Sequence, residues 1–295
     1  VTGTNNTMIG ASAGDTITTG NDNTIVGSFA GTALTGSEFN TAMGKLALAT
    51  DTLGSYNTAI GALALNTQNF TTATNVYNTA VGALAGRRIT TAAYNTLVGG
   101  TSGDHLTTGG KNAFVGYATG TALTEGEKNV AFGYDAILVD TLGSKSTALG
   151  KGTLTTQNFT TATDTHNTAV GHDAGNDITT GVQNTLVGSL AGDALTDADF
   201  NVAVGYAALS ADTLGSRSTA LGTQALNVQN YTTATNSYNV GVGFQAGQSV
   251  STGQYNTLVG GLAGDALTSG GNNVAIGLEA LGADTQGNRN IAIGN

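Results

Sequence analysis

Three stretches of this chain carry side chains suited to holding a ligand, and they are near copies of one another. Gln68, Asn69, Phe70 and Thr71 recur as Gln157, Asn158, Phe159 and Thr160, and again as Gln229, Asn230, Tyr231 and Thr232. An aromatic ring stacks on a sugar or an apolar group, while amides and hydroxyls bond to hydroxyls. That is contact chemistry for a carbohydrate or a protein surface. The plainer reading is a structural corner whose ring covers the edge of a core. Asn69, Asn158 and Asn230 also each open an Asn-x-Thr acceptor pattern for N-glycosylation.

Other chemistry is sparse. Asp15, Asp104, Asp193 and Asp265 follow a glycine, and Asp51, Asp140, Asp212 and Asp284 precede a threonine. Calcium needs several converging oxygens, and no calcium-binding nonapeptide repeat is present. These carboxylates read as solvated turn residues that cap backbone N–H groups. His105, His166 and His172 are scattered, and His166 stands where the other inserts have Tyr77 and Tyr238. No Ser/His/Asp or paired-carboxylate constellation stands out, so no catalysis and no cofactor is expected. The chain has no cysteine, which removes thiolate metal sites and disulfides; no metal site is expected. Nine Lys plus Arg against a net charge of −10 leave no basic stripe for nucleic acid. No run of about 18 apolar residues offers a membrane span.

The element that must carry the inserts is a repeat. Seventeen glycines recur along the chain at a fixed spacing, from Gly10 to Gly27 to Gly44 and on to Gly277 and Gly294. The spacing lengthens at three places only, where Gly61 leads to Gly82, Gly150 to Gly171 and Gly222 to Gly243. A fixed period of this kind predicts a solenoid. Four rung types cycle, and the longest holds the insert, so that Gln157 and Gln229 stand one full cycle apart. The segment 100–116 is an extra copy of the first type. The expected architecture is an all-β parallel β-solenoid, a β-roll of about sixteen 17–21-residue rungs forming one repeat domain over residues 1–295. At about 4.8 Å per rung the stack would be roughly 75–80 Å long. The absence of proline suits an uninterrupted ladder.

The residues before each glycine predict a strand. The preceding residue is always large and apolar, and the third before it is Thr in eleven copies. These two share a face and are expected to point into the coil. The residue between them points the other way and is apolar or glycine in every copy. A strand apolar on both faces is buried on both, so these middle residues are expected at a subunit interface: Leu97, Phe114, Ala131, Ala148, Leu186, Ala203, Ala220, Leu258 and Ala275. Four before the glycine stands Asn in fifteen copies, with Ser146 and Ser218 as exceptions; stacked amides can bond along the column. An ice-binding Thr array is a weaker alternative, because Val130, Val202, Val240, Val274 and Ile291 interrupt the Thr column and suit burial.

The phrases Asn272-Asn273-Val274-Ala275-Ile276-Gly277, Lys128-Asn129-Val130-Ala131-Phe132-Gly133 and Arg289-Asn290-Ile291-Ala292-Ile293-Gly294 resemble the repeats of trimeric autotransporter adhesin heads. Similar repeats occur in bacteriophage tail fibres. The resemblance implies a left-handed β-roll in which three chains pack along their length, on a cell or virion surface. The expected function is therefore a homotrimeric structural fibre that attaches to a surface glycan or protein. A purely structural extracellular filament is the alternative.

Overall fold

A computed structural model describes residues 2–295. The chain is an all-β parallel β-solenoid of about seventeen coils, with no helix among the described residues. Its contacts divide it into two units, one of residues 1–146 with 159–164 and one of residues 147–158 with 165–295. The first unit contributes eight of the longer strands, from Thr7–Ile9 to Val130–Phe132, and the second contributes nine, from Thr147–Leu149 to Ile291–Ile293.

Each of these strands closes on a marker glycine, as the repeat predicts. Neighbouring strands pair in parallel at the sequence period, so Leu97 lies beside Phe114 and Leu186 beside Ala203. Across a long coil the pairing steps over the insert, as between Ala59 and Ala80. The marker glycines stack closely. Gly99 has φ of +136°, and a Cβ there would collide with the carbonyl oxygen of Gly116. Only glycine fits such a column, for both backbone shape and space.

The interior is set by size matching. The middle residue of the strand is buried throughout, apart from Met8 and Ala292 in the first and last strands. Where it is large, glycine stands nearby to receive it. A Cβ at Gly120 would strike the Phe114 ring, and one at Gly86 would lie 2.8 Å from Leu97. Where it is Ala, as at Ala42, Ala59 and Ala131, the fourth residue past the marker is a buried Leu48, Leu65 or Ile137 instead. In the insert coils both positions are small, Ala80 with Gly86, Ala169 with Gly175 and Gly241 with Gly247, and there leucines of the neighbouring coils close in, Leu65 with Leu97, Leu154 with Leu186 and Leu226 with Leu258.

This reverses the predicted facing of the strand. Leu97, Phe114, Ala131, Ala148, Leu186, Ala203, Ala220, Leu258 and Ala275 are fully buried inside their own chain. They form the coil interior and cannot form a subunit interface. The Thr and Val/Ile positions on either side face outward and are half-buried or exposed. The strand positions hold mostly Thr, Ala and larger apolar residues, none charged, so alternation alone does not say which set is inside. The narrow interior decides it, because small Ala beside alternating Gly and Leu fits where two walls approach.

The Asn column forms as expected and ties the coils together. Asn95 Nδ2 donates to Gly109 O at 3.2 Å, and Asn95 Oδ1 accepts the N–H of Asn112 at 2.9 Å. Asn184 and Asn201 repeat this in the second unit, with Asn184 Nδ2 to Ala198 O at 2.7 Å and Asn201 N to Asn184 Oδ1 at 3.0 Å. Ser218 replaces Asn in this column. Its hydroxyl bonds Gln229 Nε2 at 2.7 Å and Ser237 Oγ at 2.5 Å.

Candidate functional site

The inserts sit on a buried column at the seventh position past each marker glycine. In most coils that column is apolar, as at Ile17, Leu34, Ile89, Leu106 and Leu195. In the coil before each insert it is Asp, and in the insert coil it is Gln. Asp51, Asp140, Asp212, Gln68, Gln157 and Gln229 are all fully buried. In the first unit Gln68 Nε2 donates to Asp51 Oδ2 at 2.5 Å, and Gln68 Oε1 accepts from Asn78 Nδ2 at 2.9 Å. Asp51 Oδ1 receives the N–H groups of Gly54 and Phe70 at 3.1 and 2.9 Å. In the second unit Gln229 and Asp212 repeat the short contact at 2.5 Å, and the N–H groups of Gly215 and Tyr231 complete the carboxylate.

These carboxylates cap backbone N–H groups as predicted, but they are not solvated, which corrects the expectation for Asp51, Asp140 and Asp212. Asp104 is likewise buried and corrects the same expectation. In the sequence the Asp turn and the Gln insert read as separate features. Their shared register, one period apart on an otherwise apolar column, is the signal that joins them. Burial raises the pKa of Asp212, against the opposing hydrogen bonds from Gln229, Tyr231 and Gly215. Burial also raises the pKa of the Tyr231 phenol, helped by the Asp212 carboxylate, and its hydroxyl donates to Gly253 O at 2.6 Å.

The twelve insert residues therefore divide. Gln68, Gln157 and Gln229 point into the chain. Phe159 and Tyr231 are buried, and Phe70 is half-buried, so the rings close the edge of the core. Asn69, Asn158 and Asn230 and Thr71, Thr160 and Thr232 are exposed. Asn69 Oδ1 accepts from Thr52 Oγ1 at 3.1 Å, and Asn230 Oδ1 accepts from Thr213 Oγ1 at 3.0 Å. What each insert offers solvent is an amide and a Thr-Thr-Ala tip, joined in the first insert by part of the Phe70 ring.

A larger exposed feature is one the sequence does not announce as a surface. In each unit the outer face of the sheet carries the Thr column and the Val/Ile column, with no charged residue in either. Met43, Phe132, Val204 and Ile276 are about two-fifths exposed on it. The face is uncharged, with a mostly β-branched apolar column beside a column that is mostly threonine. The exposure of the Thr column removes burial as a ground against ice binding; its interruption by Val130, Val202, Val240, Val274 and Ile291 stands.

Two columns border this face, and both hold large side chains in many coils. The residue five before each marker glycine takes the left-handed conformation in all seventeen coils. In the first unit this column stacks Phe39, Tyr56, Tyr77 and Tyr94, with ring centroids 4.9, 5.0 and 5.8 Å apart. Lys111, Lys128 and Lys145 follow, Lys128 near Glu127 and Lys145 paired with Asp164. In the second unit the Arg217 guanidinium lies between the rings of Phe200 and Tyr238, 5.0 and 5.8 Å from their centroids. The other border is the residue just past the marker, where Tyr117 and Tyr134 stack at 5.5 Å.

The remaining candidates are dispersed. Arg87 grips Asp104 through two bonds of 2.8 and 2.9 Å. His105 lies 3.6 Å from Asp104, and His172 lies 3.0 Å from Asp173. Desolvation raises Asp193 to about 6, with the charges of Asp177 and Asp173 adding to it. Among the described residues no group of three or more His, Asp or Glu side chains is placed to hold a metal ion. No helix of the described residues is long and apolar enough to cross a membrane. No family model, curated protein or solved structure matches this chain.

Proposed function

We propose that this chain is a structural fibre segment that associates with copies of itself along its uncharged sheet face, as a homotrimer on a cell or virion surface. The observation that carries the reading is the Thr and Val/Ile face, which in a single chain leaves apolar β-branched residues open to water. In the assembled fibre that face is covered, and the Thr-rich insert tips remain outside as the candidate contact with a surface glycan or protein. The rings of Phe159 and Tyr231, buried beneath those tips, favour the second reading, a filament with structural inserts and no receptor of its own.

Light scattering tests the association. The expected result is a multimer for the natural chain and a folded monomer for the V98D/V115D variant, whose new charges sit on the outer face. A folded monomer for the natural chain overturns the reading. Attachment is tested by replacing the exposed Thr71-Thr72, Thr160-Thr161 and Thr232-Thr233 tips with glycine. Undiminished surface binding by that variant leaves the filament reading.

A further inference from the structure

We infer that the three insert tips are acceptor sites for N-linked sugar transfer, at Asn69, Asn158 and Asn230, in the chain as folded. The inference stands apart from the self-association proposed above. An Asn-x-Thr triplet is the acceptor pattern, and the chain holds it four times, at the three inserts and at Asn5. The other asparagines lack it. Those of the Asn column are followed two residues on by the middle residue of the strand, which is never Ser or Thr. The pattern is thus kept out of the interior and recurs where the coil lengthens.

The fold presents the triplet outward. Side chains two apart on an extended chain share a side, and the one between them points the other way. The middle ring turns in: Phe159 and Tyr231 are buried and Phe70 is half-buried, while the Asn before each ring and the Thr after it are exposed. Asn69 and Asn230 are also held with the reacting atom free. Each amide oxygen accepts a threonine hydroxyl, from Thr52 at 3.1 Å and from Thr213 at 3.0 Å, and Nδ2 makes no hydrogen bond among the described residues. Nor, among those residues, do the Thr71 and Thr232 hydroxyls or the N–H groups of Thr71, Thr72 and Ala73. The fold gives the third residue's hydroxyl no role, whereas acceptor recognition requires it. The Asn5 triplet is built differently. Asn5 Nδ2 donates to Asp22 Oδ1 at 3.0 Å, and Thr7 opens the strand Thr7–Ile9 with its N–H on Asn23 O at 2.8 Å. The co-substrate is a sugar activated at its anomeric carbon by a phosphate or nucleoside diphosphate. Nδ2 attacks that carbon, a C–N bond replaces the C–O bond to phosphate, the phosphate leaves with the electron pair, and one Nδ2 proton passes to a base of the transferase.

Enzymatic transfer tests this on the intact, folded chain. The probe is a soluble asparagine glycosyltransferase with a nucleotide-activated hexose, selected for its ability to modify the synthetic peptide 66–76. Peptide mapping by mass spectrometry should find a hexose on Asn69, Asn158 and Asn230, and none on Asn5 or the Asn column. T71A/T160A/T232A should lose all three additions yet keep the circular dichroism spectrum and melting midpoint of the natural chain. Transfer to the insert segments in a tryptic digest but not in the folded chain overturns the inference. Transfer to Asn5 as fast as to the inserts also overturns it, because outward presentation would then not select the sites. Loss of the fold in the threonine variant does so too, since the hydroxyls would then be structural.

Discussion

At the scale of single residues, the marker glycines are the most constrained positions in the chain. Ala at Gly99 must adopt a φ of +136° and drive its Cβ into the backbone oxygen of Gly116. Backbone cannot move aside as a side-chain tip can, so G99A should cost about 2–4 kcal/mol, read as a lower urea midpoint. Its neighbour supplies the control, because a Cβ at Gly100 meets only the Tyr117 ring at 3.4 Å, and G100A should leave the midpoint nearly unchanged. Asp193 makes a second prediction with a defined sign. Its carboxyl is raised from 3.8 to about 6, and its Oδ1 is buried without a hydrogen-bond partner. The folded chain thus holds a proton that the unfolded chain releases, so stability from this group is full below about pH 4 and falls as pH rises towards 6. Asn mimics the protonated form. D193N should raise the thermal midpoint at pH 7.5, where Asp173 and Asp177 still repel the natural carboxylate, and match the natural chain near pH 3.5. An equal midpoint for both at pH 7.5 would show that the carboxylate carries no penalty.

At the scale of the coil, buried amides replace what helix caps and disulfides do in other folds. Removing the Asn184 side chain leaves the N–H of Asn201 and the carbonyl of Ala198 buried without partners. At about 1–3 kcal/mol for each orphaned group, N184A should lose about 3 kcal/mol of stability in a denaturant titration. N184S should lose nearly as much, because Ser218 is tolerated only with Gln229 and Ser237 at hand. Q229L should also destabilise by about 3 kcal/mol, since it strips Asp212 and Asn239 of their shared partner in a buried site. These elements differ in how legible they were. The strand positions, the Asn column and the glycine turns followed from period and residue type, because each imposes one chemistry in every coil. The facing of the strand did not, since Thr, Ala and Val are all compatible with either side. The Asp51–Gln68 pair was hidden for another reason: its two members belong to different rung types, and only a shared position on the apolar column connects them.

At the scale of the molecule, a solenoid is close to one-dimensional, and each coil answers mainly to the coils before and after it. The coil spanning 100–116 offers a direct test, because it is the additional copy that departs from the four-coil cycle. Its strand pairs with Leu97 on one side and Ala131 on the other through its middle residue Phe114. Deleting that whole coil joins Gly99 to Tyr117 and brings Thr96–Val98 beside Val130–Phe132 in the same register. The Asn column continues from Asn95 to Asn129, and the glycine column from Gly99 to Gly133, so no buried amide or carbonyl loses its class of partner. Size matching also survives. Phe114 and Gly103 leave together, Leu97 meets Gly120 in place of Gly103, and Leu97 then pairs with Ala131 as Leu186 pairs with Ala203 in the natural chain. The deletion variant should keep its β-sheet circular dichroism and melt within a few degrees of the natural chain. Deleting only the segment 100–111 should unfold or fray it, because the downstream coils would re-enter out of phase and put polar side chains at interior positions. A whole-coil deletion that unfolds as readily as the partial one would show that stability is shared across many coils and is not set between neighbours.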